Sequence, residues 1–443
     1  MPRRIAKKVS HVKPRKLIYC IGIGGIGVSA LAQWYLAHGW DVSGSDTTHS
    51  VVTDQLKKRG AIVHIGRHRA SWVPRDTKLL IYTAAIQADN PERQRATKLK
   101  IPQFAYAEAL GEISKRYKTI AISGAHGKST TTAMVSLMLI KAGLNPTVII
   151  GTRMREFGNT NFHKGRSEWL VIEADEFHHS FLQYYPYAAI TTNVDREHLD
   201  YYKNFSNIKK AFQKFFSHID PSGFLVINRE DPILKNLALV SHCRVLLYDT
   251  INSRAKQIRR VLRVPGKHNL SNAMACDTFG AALQIPASTR LKALAAFRGT
   301  WRRFEFRGMW HGARIYDDYA HHPTEIKATL AGAREQFPKK HIWCVFQPHH
   351  NARLRLLFTD FIKSFTVADR LTILETYKVE GRDTEERDKR RNAAALAHKI
   401  GDDFIRDRSG AVALLKRDVS RGDVIICMGA GDIGALATEI LRS

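Results

Sequence analysis

Residues 118–132 read KTIAISGAHGKSTTT. A short apolar strand enters a glycine loop ending in Gly127-Lys128-Ser129, and an apolar helical stretch, AMVSLMLIKAG, follows until Gly143 and Pro146 close it. That succession makes an anion site, because loop amides and the helix dipole both face a phosphate. The usual phosphate-loop signature has a glycine five residues before Gly127, where this chain carries Ile122. Downstream, EWLVIEADEF (168–177) sets Glu173, Asp175 and Glu176 at the end of another strand. A lysine to offset phosphate charge, a Ser129 hydroxyl and strand-end carboxylates for Mg²⁺ are together the parts of an ATP site. YAAITTN (187–193) then leads into VDREHLDYY (194–202), where Asp195, Glu197, His198 and Asp200 offer a further metal ligand at the same sheet edge.

Working outward, the strand-like KLIYCI (16–21) precedes GIGGIG (22–27), a helical segment and the strand WDVSGSD ending at Asp46. Gly22, Gly24 and Gly27 match the dinucleotide fingerprint, and Asp46 stands 19 residues after Gly27, where an acid meets a ribose hydroxyl. This points to a nucleotide diphosphate. Toward the C-terminus, GARIYDDYAHHPTEI (312–326), KKHIWCVFQPHHNARLR (339–355), ADRLTILETY (368–377) and RGDVIICMGAGDIGALA (421–437) alternate strands with helices, a third α/β unit. Its Gly429, Gly431 and Gly434 are read as a close strand-to-helix turn, since the chain stops at Ser443 before an acid could follow. Adjacent His321 and His322 should point apart, and no structural metal is expected there.

Composition narrows the class. No run of about 18 apolar residues is present, so nothing should span a membrane. The five cysteines are scattered singly without a CxxC pair, which excludes a disulfide framework and suggests a soluble, cytoplasmic chain. Lys+Arg number 69 against 41 Asp+Glu, a net +28, yet the charge is dispersed and not interleaved with aromatics. It is read as a solvated basic surface without specific nucleic-acid binding. The tail MPRRIAKKVSHVKPRK carries seven Lys/Arg and no apolar core, so it is read as a basic arm and not a secretory signal. A diphosphate site beside an ATP·Mg²⁺ site suits ATP-driven phosphoryl transfer to a nucleotide-tagged acceptor. An NAD-dependent oxidoreductase would have no use for the phosphate loop.

These motifs together resemble the Mur ligases of peptidoglycan synthesis. GIGGIG…VSGSD, GAHGKSTTT, IEADE…SFL, EHLDYY, PGKHNLSNAMA (265–275), RRFE (302–305), DDYAHHPTEI (317–326), FQPH (346–349) and MGAGDIG (428–434) carry the likeness from about residue 16 to the C-terminus. In that family the phosphate loop is shorter and opens at Gly124, so Ile122 belongs to the strand. The implied fold is α/β in three domains: a Rossmann-like N-terminal domain (16–109) after a basic tail (1–15), a P-loop-type central ATPase domain (110–298) and a Rossmann-like C-terminal domain (299–443). The implied activity is ATP-dependent joining of an amino acid, L-alanine foremost, to the carboxylate of UDP-N-acetylmuramate through an acyl phosphate. A different amino acid or a peptide remains the alternative acceptor.

The resemblance implies a UDP-sugar site at Gly22, Gly24, Gly25, Ile26, Gly27, Ser45 and Asp46. It implies ATP binding by Gly124, His126, Gly127, Lys128, Ser129 and Thr130, with His268, Asn269 and Asn272 near the adenine and Arg303 and Asp317 reaching back to the nucleotide. Mg²⁺ falls to Ser129, Glu173 and His198. His349, Arg353 and Arg355 fall where the amino acid and acyl phosphate are handled, so Lys128, Glu173, His198, His349, Arg353 and Arg355 form the expected catalytic set. His350 stands where an arginine is expected. Phe212 falls near the place of a carboxylated lysine found in some members, and none is expected here. The expected state is a monomer or homodimer.

Overall fold

The computed structural model describes residues 16–378, 388 and 390–443. The basic arm proposed for residues 1–15 lies outside them. The chain divides into two compact units, up to Leu110 and from Gly111 onward.

The first unit is built on a five-stranded parallel sheet. Strands β1 (Leu17–Ile21), β2 (Asp41–Asp46), β3 (Ile62–Ile65), β4 (Thr77–Tyr82) and β5 (Gln103–Ala105) lie in the order β3-β2-β1-β4-β5. Tyr19, Ile21 and Leu80 are buried in its core. The order reverses at β1, and a parallel sheet opens a crevice at such a switch point. GIGGIG leaves β1 there and enters the helix Ile26–Ala37.

The second unit holds two sheets. The seven-stranded one comprises β6 (Lys118–Ser123), β7 (Thr147–Met154), β8 (Thr160–His163), β9 (Trp169–Glu173), β10 (Ala188–Thr191), β11 (Phe224–Asn228) and β12 (Arg244–Tyr248). Its order is β12-β11-β10-β6-β9-β7-β8, parallel except between β7 and β8. The central strands are apolar on both faces, as a sheet covered by helices requires. Helices Lys128–Lys141 and Lys267–Ala282 supply Met134, Met138, Ala273 and Phe279 to the covering core. Phe212 is buried and packs edge-on against Phe181.

The six-stranded sheet comprises β13 (Glu305–Trp310), β14 (Ala313–Asp318), β15 (Ile342–Phe346), β16 (Arg370–Leu374), β17 (Asp403–Ile405) and β18 (Val424–Met428), ordered β13-β14-β18-β15-β16-β17. Only the β13–β14 pairing is antiparallel. The second glycine turn, after β18, is filled by the chain itself: Arg302 donates to the carbonyls of Gly429 and Gly431 at 2.6 and 3.1 Å. All five cysteines are reduced and buried. No helix among the described residues is long and apolar enough to cross a membrane.

Candidate active site

The phosphate loop forms where β6 ends. Gly127 takes the left-handed φ of 86° at the helix N-cap, and a Cβ there would run into the Asn272 amide. Asn193, at the end of the neighbouring β10, tethers the loop: its carbonyl accepts from Ala125 N–H at 3.1 Å and its side chain from His126 N–H at 2.9 Å. The Lys128 ammonium donates to the Gly124 carbonyl at 2.7 Å and to Glu176 at 2.9 Å. Burial acts to lower its pKa, but Glu176 and Asp175 outweigh it and hold the lysine charged. Burial pushes the Glu176 carboxyl up to about 7, against the pull of Lys128.

The expected metal set is split. Ser129 Oγ donates to Glu173 at 3.0 Å, and the other oxygen of Glu173 accepts from Gly151 N–H at 2.6 Å. His198 gathers instead with Asp175 and Glu176, their ligand atoms all within 4.8 Å of one another. Of the acids offered by VDREHLDYY, Asp195 and Glu197 turn away to other partners. Oxygen-rich ligands of this kind suit a hard divalent cation such as Mg²⁺.

A cavity of about 270 Å³ opens from the loop toward the third sheet. His126, Gly127, Ser129, Thr130, His268, Asn269 and Asn272 line one side, with Arg303, Phe304 and Asp318 on the other. Burial, then the Arg303 charge, brings His268 down to about 4, so its imidazole is neutral. Asp317 does not reach this cavity. It is fully buried against Arg302 and Arg307 at 3.1 and 3.3 Å. Successive strand residues face opposite ways, so at the end of β14 it is Asp318 that lines the cavity, accepting from Phe304 N–H at 2.6 Å and Ala320 N–H at 2.8 Å.

The adjacent histidines do diverge: His321 approaches Glu325 at 3.2 Å, while His322 faces Asp195 at 3.8 Å. His322 lies with His126 and Asp195 in a second group with metal-ligand spacing. His126 Nε2 lies 3.0 Å from Asp195, and Thr324 donates to the same carboxylate at 2.8 Å. Burial opposes it, yet the contacts with Asp195 and Glu325 push His126 up to about 10. An imidazolium between two carboxylates accounts for this cluster without a metal.

The expected amino-acid residues come together in part. His349 stacks on Tyr377, with ring centroids 5.5 Å apart. Arg353 Nη2 donates to Glu197 at 3.3 Å and lines a small cavity with His198 and His350. His350 has φ 74° and caps the helix Asn351–Leu356, its ring accepting from Ala352 N–H at 3.2 Å. Arg355 does not line that cavity, whereas Arg353, Leu356 and Leu357 do. A helix turns about 100° per residue, so two positions on from Arg353 lies the opposite face.

In the first unit, Gly22 N–H donates to the Ser45 carbonyl at 2.8 Å and Gly25 caps the helix that begins at Ile26. The Asp46 carboxylate accepts from Gly24 N–H at 2.8 Å, at the mouth of the glycine turn. Gly27 packs against the Tyr106 ring. The Ser45 hydroxyl donates to Glu92 at 2.6 Å. Glu92, fully buried in a polar sequence PERQR, had no signal by which to be found.

A glycine-lysine-serine loop with strand-end acids, set beside a second α/β sheet, is the arrangement of an ATP-dependent ligase. Family models named Mur ligase family, catalytic domain, Mur ligase middle domain and Mur ligase, glutamate ligase domain match residues 17–118, 122–279 and 302–431. The chain belongs to the Mur ligase family. It is 40% identical to the UDP-N-acetylmuramate–L-alanine ligase of Aquifex aeolicus, over 96% of this chain and 97% of that one. It is 38% identical to the enzyme of the same name from Acetivibrio thermocellus, over 98% of each. The crystal structure of the UDP-N-acetylmuramate–alanine ligase of Thermotoga maritima superposes with a TM-score of 0.80 at 28% identity, covering 97% of this chain and 99% of that one. A murein peptide ligase from Psychrobacter arcticus shares the fold, with a TM-score of 0.72 at 22% identity over 96% and 98%.

Proposed function

We propose that this chain joins L-alanine to the carboxylate of UDP-N-acetylmuramate at the expense of ATP, an early step in making peptidoglycan precursors. The observation that carries the proposal is a cavity bordered by both sheets of the second unit, lined by Gly127, Ser129 and Thr130 of the phosphate loop on one side and Arg303 and Asp318 on the other, with the Lys128–Glu176 pair next to it in the same loop. The glycine loop of the first unit takes the diphosphate of the UDP-sugar, with Gly22, Gly24, Gly25, Ile26, Gly27 and Ser45 around it.

A carboxylate is a poor electrophile and must be activated. Its oxygen attacks the γ-phosphorus of ATP, the bond to the β-phosphate oxygen breaks, and ADP leaves. Lys128 offsets the charge of the transferring group. The free amine of alanine then adds to the acyl phosphate, and phosphate departs with the C–O bonding pair. Neutral His268, with Asn269 and Asn272, borders the base. Asp175, Glu176 and His198 would hold one Mg²⁺, with Ser129 and Glu173 beside it, and the ion would spread phosphate charge.

ADP release measured with each component omitted in turn tests this. Turnover should require ATP, UDP-N-acetylmuramate, Mg²⁺ and L-alanine together. Stimulation by a peptide but not by alanine, serine or glycine would replace the alanine assignment.

A further inference from the structure

One buried carboxylate beside this site has no role in the chemistry above. Glu197 is 5% exposed and belongs to neither group with metal-ligand spacing. Its contact is Arg353, 156 residues further along the chain and on the other sheet's side of the unit. Arg353 is held a second time by the His349 carbonyl at 3.5 Å. A guanidinium carries five donors in one plane, so two holds set that plane and still leave N–H groups for another carboxylate.

The chain direction adds a second constraint. His198, the very next residue, has the left-handed φ of 55°. A non-glycine residue adopts this only where its surroundings over-determine it. Here the turn sends consecutive side chains to different neighbours: Glu197 to Arg353, and His198 to Asp175 and Glu176. One backbone step therefore ties the guanidinium to the acids that face the phosphates.

We infer that Glu197 is a positioning residue: it holds the Arg353 guanidinium where the incoming amino acid's carboxylate binds, at a fixed offset from the acyl-phosphate site. This rests on the reading of Arg353 as the amino-acid anchor. The pair itself is buried, its Arg353 and Glu197 side chains 12% and 6% exposed, which strengthens an arginine–carboxylate contact.

Initial rates of ADP release by the full-length chain, with each substrate varied in turn, test the role. In Glu197→Ala the KM for the amino acid should rise about 10- to 100-fold, the range set by a charged hydrogen bond, while the KM values for ATP and UDP-N-acetylmuramate stay put. Glu197→Gln keeps an acceptor oxygen and should show a smaller rise in the same single constant; it carries the comparison if the alanine variant does not fold. In an Arg353→Ala background, Glu197→Ala should add nothing. A fall in kcat with the amino-acid KM unchanged, or additive effects of the two substitutions, would overturn the role. If a peptide replaces alanine as acceptor, the alanine assignment fails while the positioning is read on the peptide's KM. If no amino acid or peptide stimulates ADP release, both readings fall.

Discussion

The Lys128 ammonium lies 2.9 Å from a carboxylate oxygen of Glu176, which is 2% exposed. The residue expected to face the γ-phosphate is thus already paired inside the protein, and a phosphate docking at this lysine would share it with a buried acid.

Lys128→Ala should lower ADP release at least about 100-fold, as removal of a charge-stabilising donor does, with the circular dichroism spectrum unchanged. The fold survives because Glu176 can neutralise itself. Burial has already raised its carboxyl to about 7 against the lysine's pull, and loss of the lysine raises it further.

Chelation of divalent cations should abolish turnover, and Mg²⁺ should restore it. Asp175→Asn removes one charge from the group with Glu176 and His198. The Mg²⁺ concentration for half-maximal rate should rise about 10-fold. Direct titration of Mg²⁺ with a fluorescent nucleotide analogue would check it.

Asp318 yields a pH signature. Its folded-state pKa is raised by burial to about 6, against donors from Ala320 and Phe304. A raised carboxyl binds its proton more tightly folded than unfolded. Its contribution is therefore complete below about 4 and is lost as pH rises to about 6, up to about 3 kcal/mol. Denaturant titrations across that window should show the slope, and Asp318→Asn should remove it while weakening ATP binding. Asp317→Asn should instead destabilise at all these pH values, because it leaves Arg302 buried with half its partner.

Gly127→Ala combines a strained φ of 86° with a clash at Asn272. It should cost about 1–3 kcal/mol of stability and raise the KM for ATP, read from the melting temperature and initial rates together.

The parts legible in the sequence were contiguous. GIGGIG and GAHGKSTTT each compress strand, turn and helix start into about a dozen residues, so local geometry alone selects glycine, lysine and hydroxyl at their positions. The second glycine cluster was legible for the same reason: with no acid to follow Gly434, a turn was the better reading, and Arg302 fills it.

What misled was orientation. Asp317 and Asp318 are neighbours on one strand, and only the pleat decides which one faces Arg302 and which the cavity beside the phosphate loop. Arg353 and Arg355 are separated in the same way by the helical period.

The sequence by itself determined the class of chemistry, because phosphate and its metal demand donors at fixed short spacings. The tertiary structure alone decided the partners: His126 with Asp195 and His322, Ser129 with Glu173, Glu197 with Arg353. Those pairs join residues from 44 to 196 positions apart, and such separations carry no periodic signal. Neighbouring strands of one sheet bring Ser129 to Glu173 and His126 to Asp195, and the meeting of the two sheets brings His322 to the latter pair and Arg353 to Glu197.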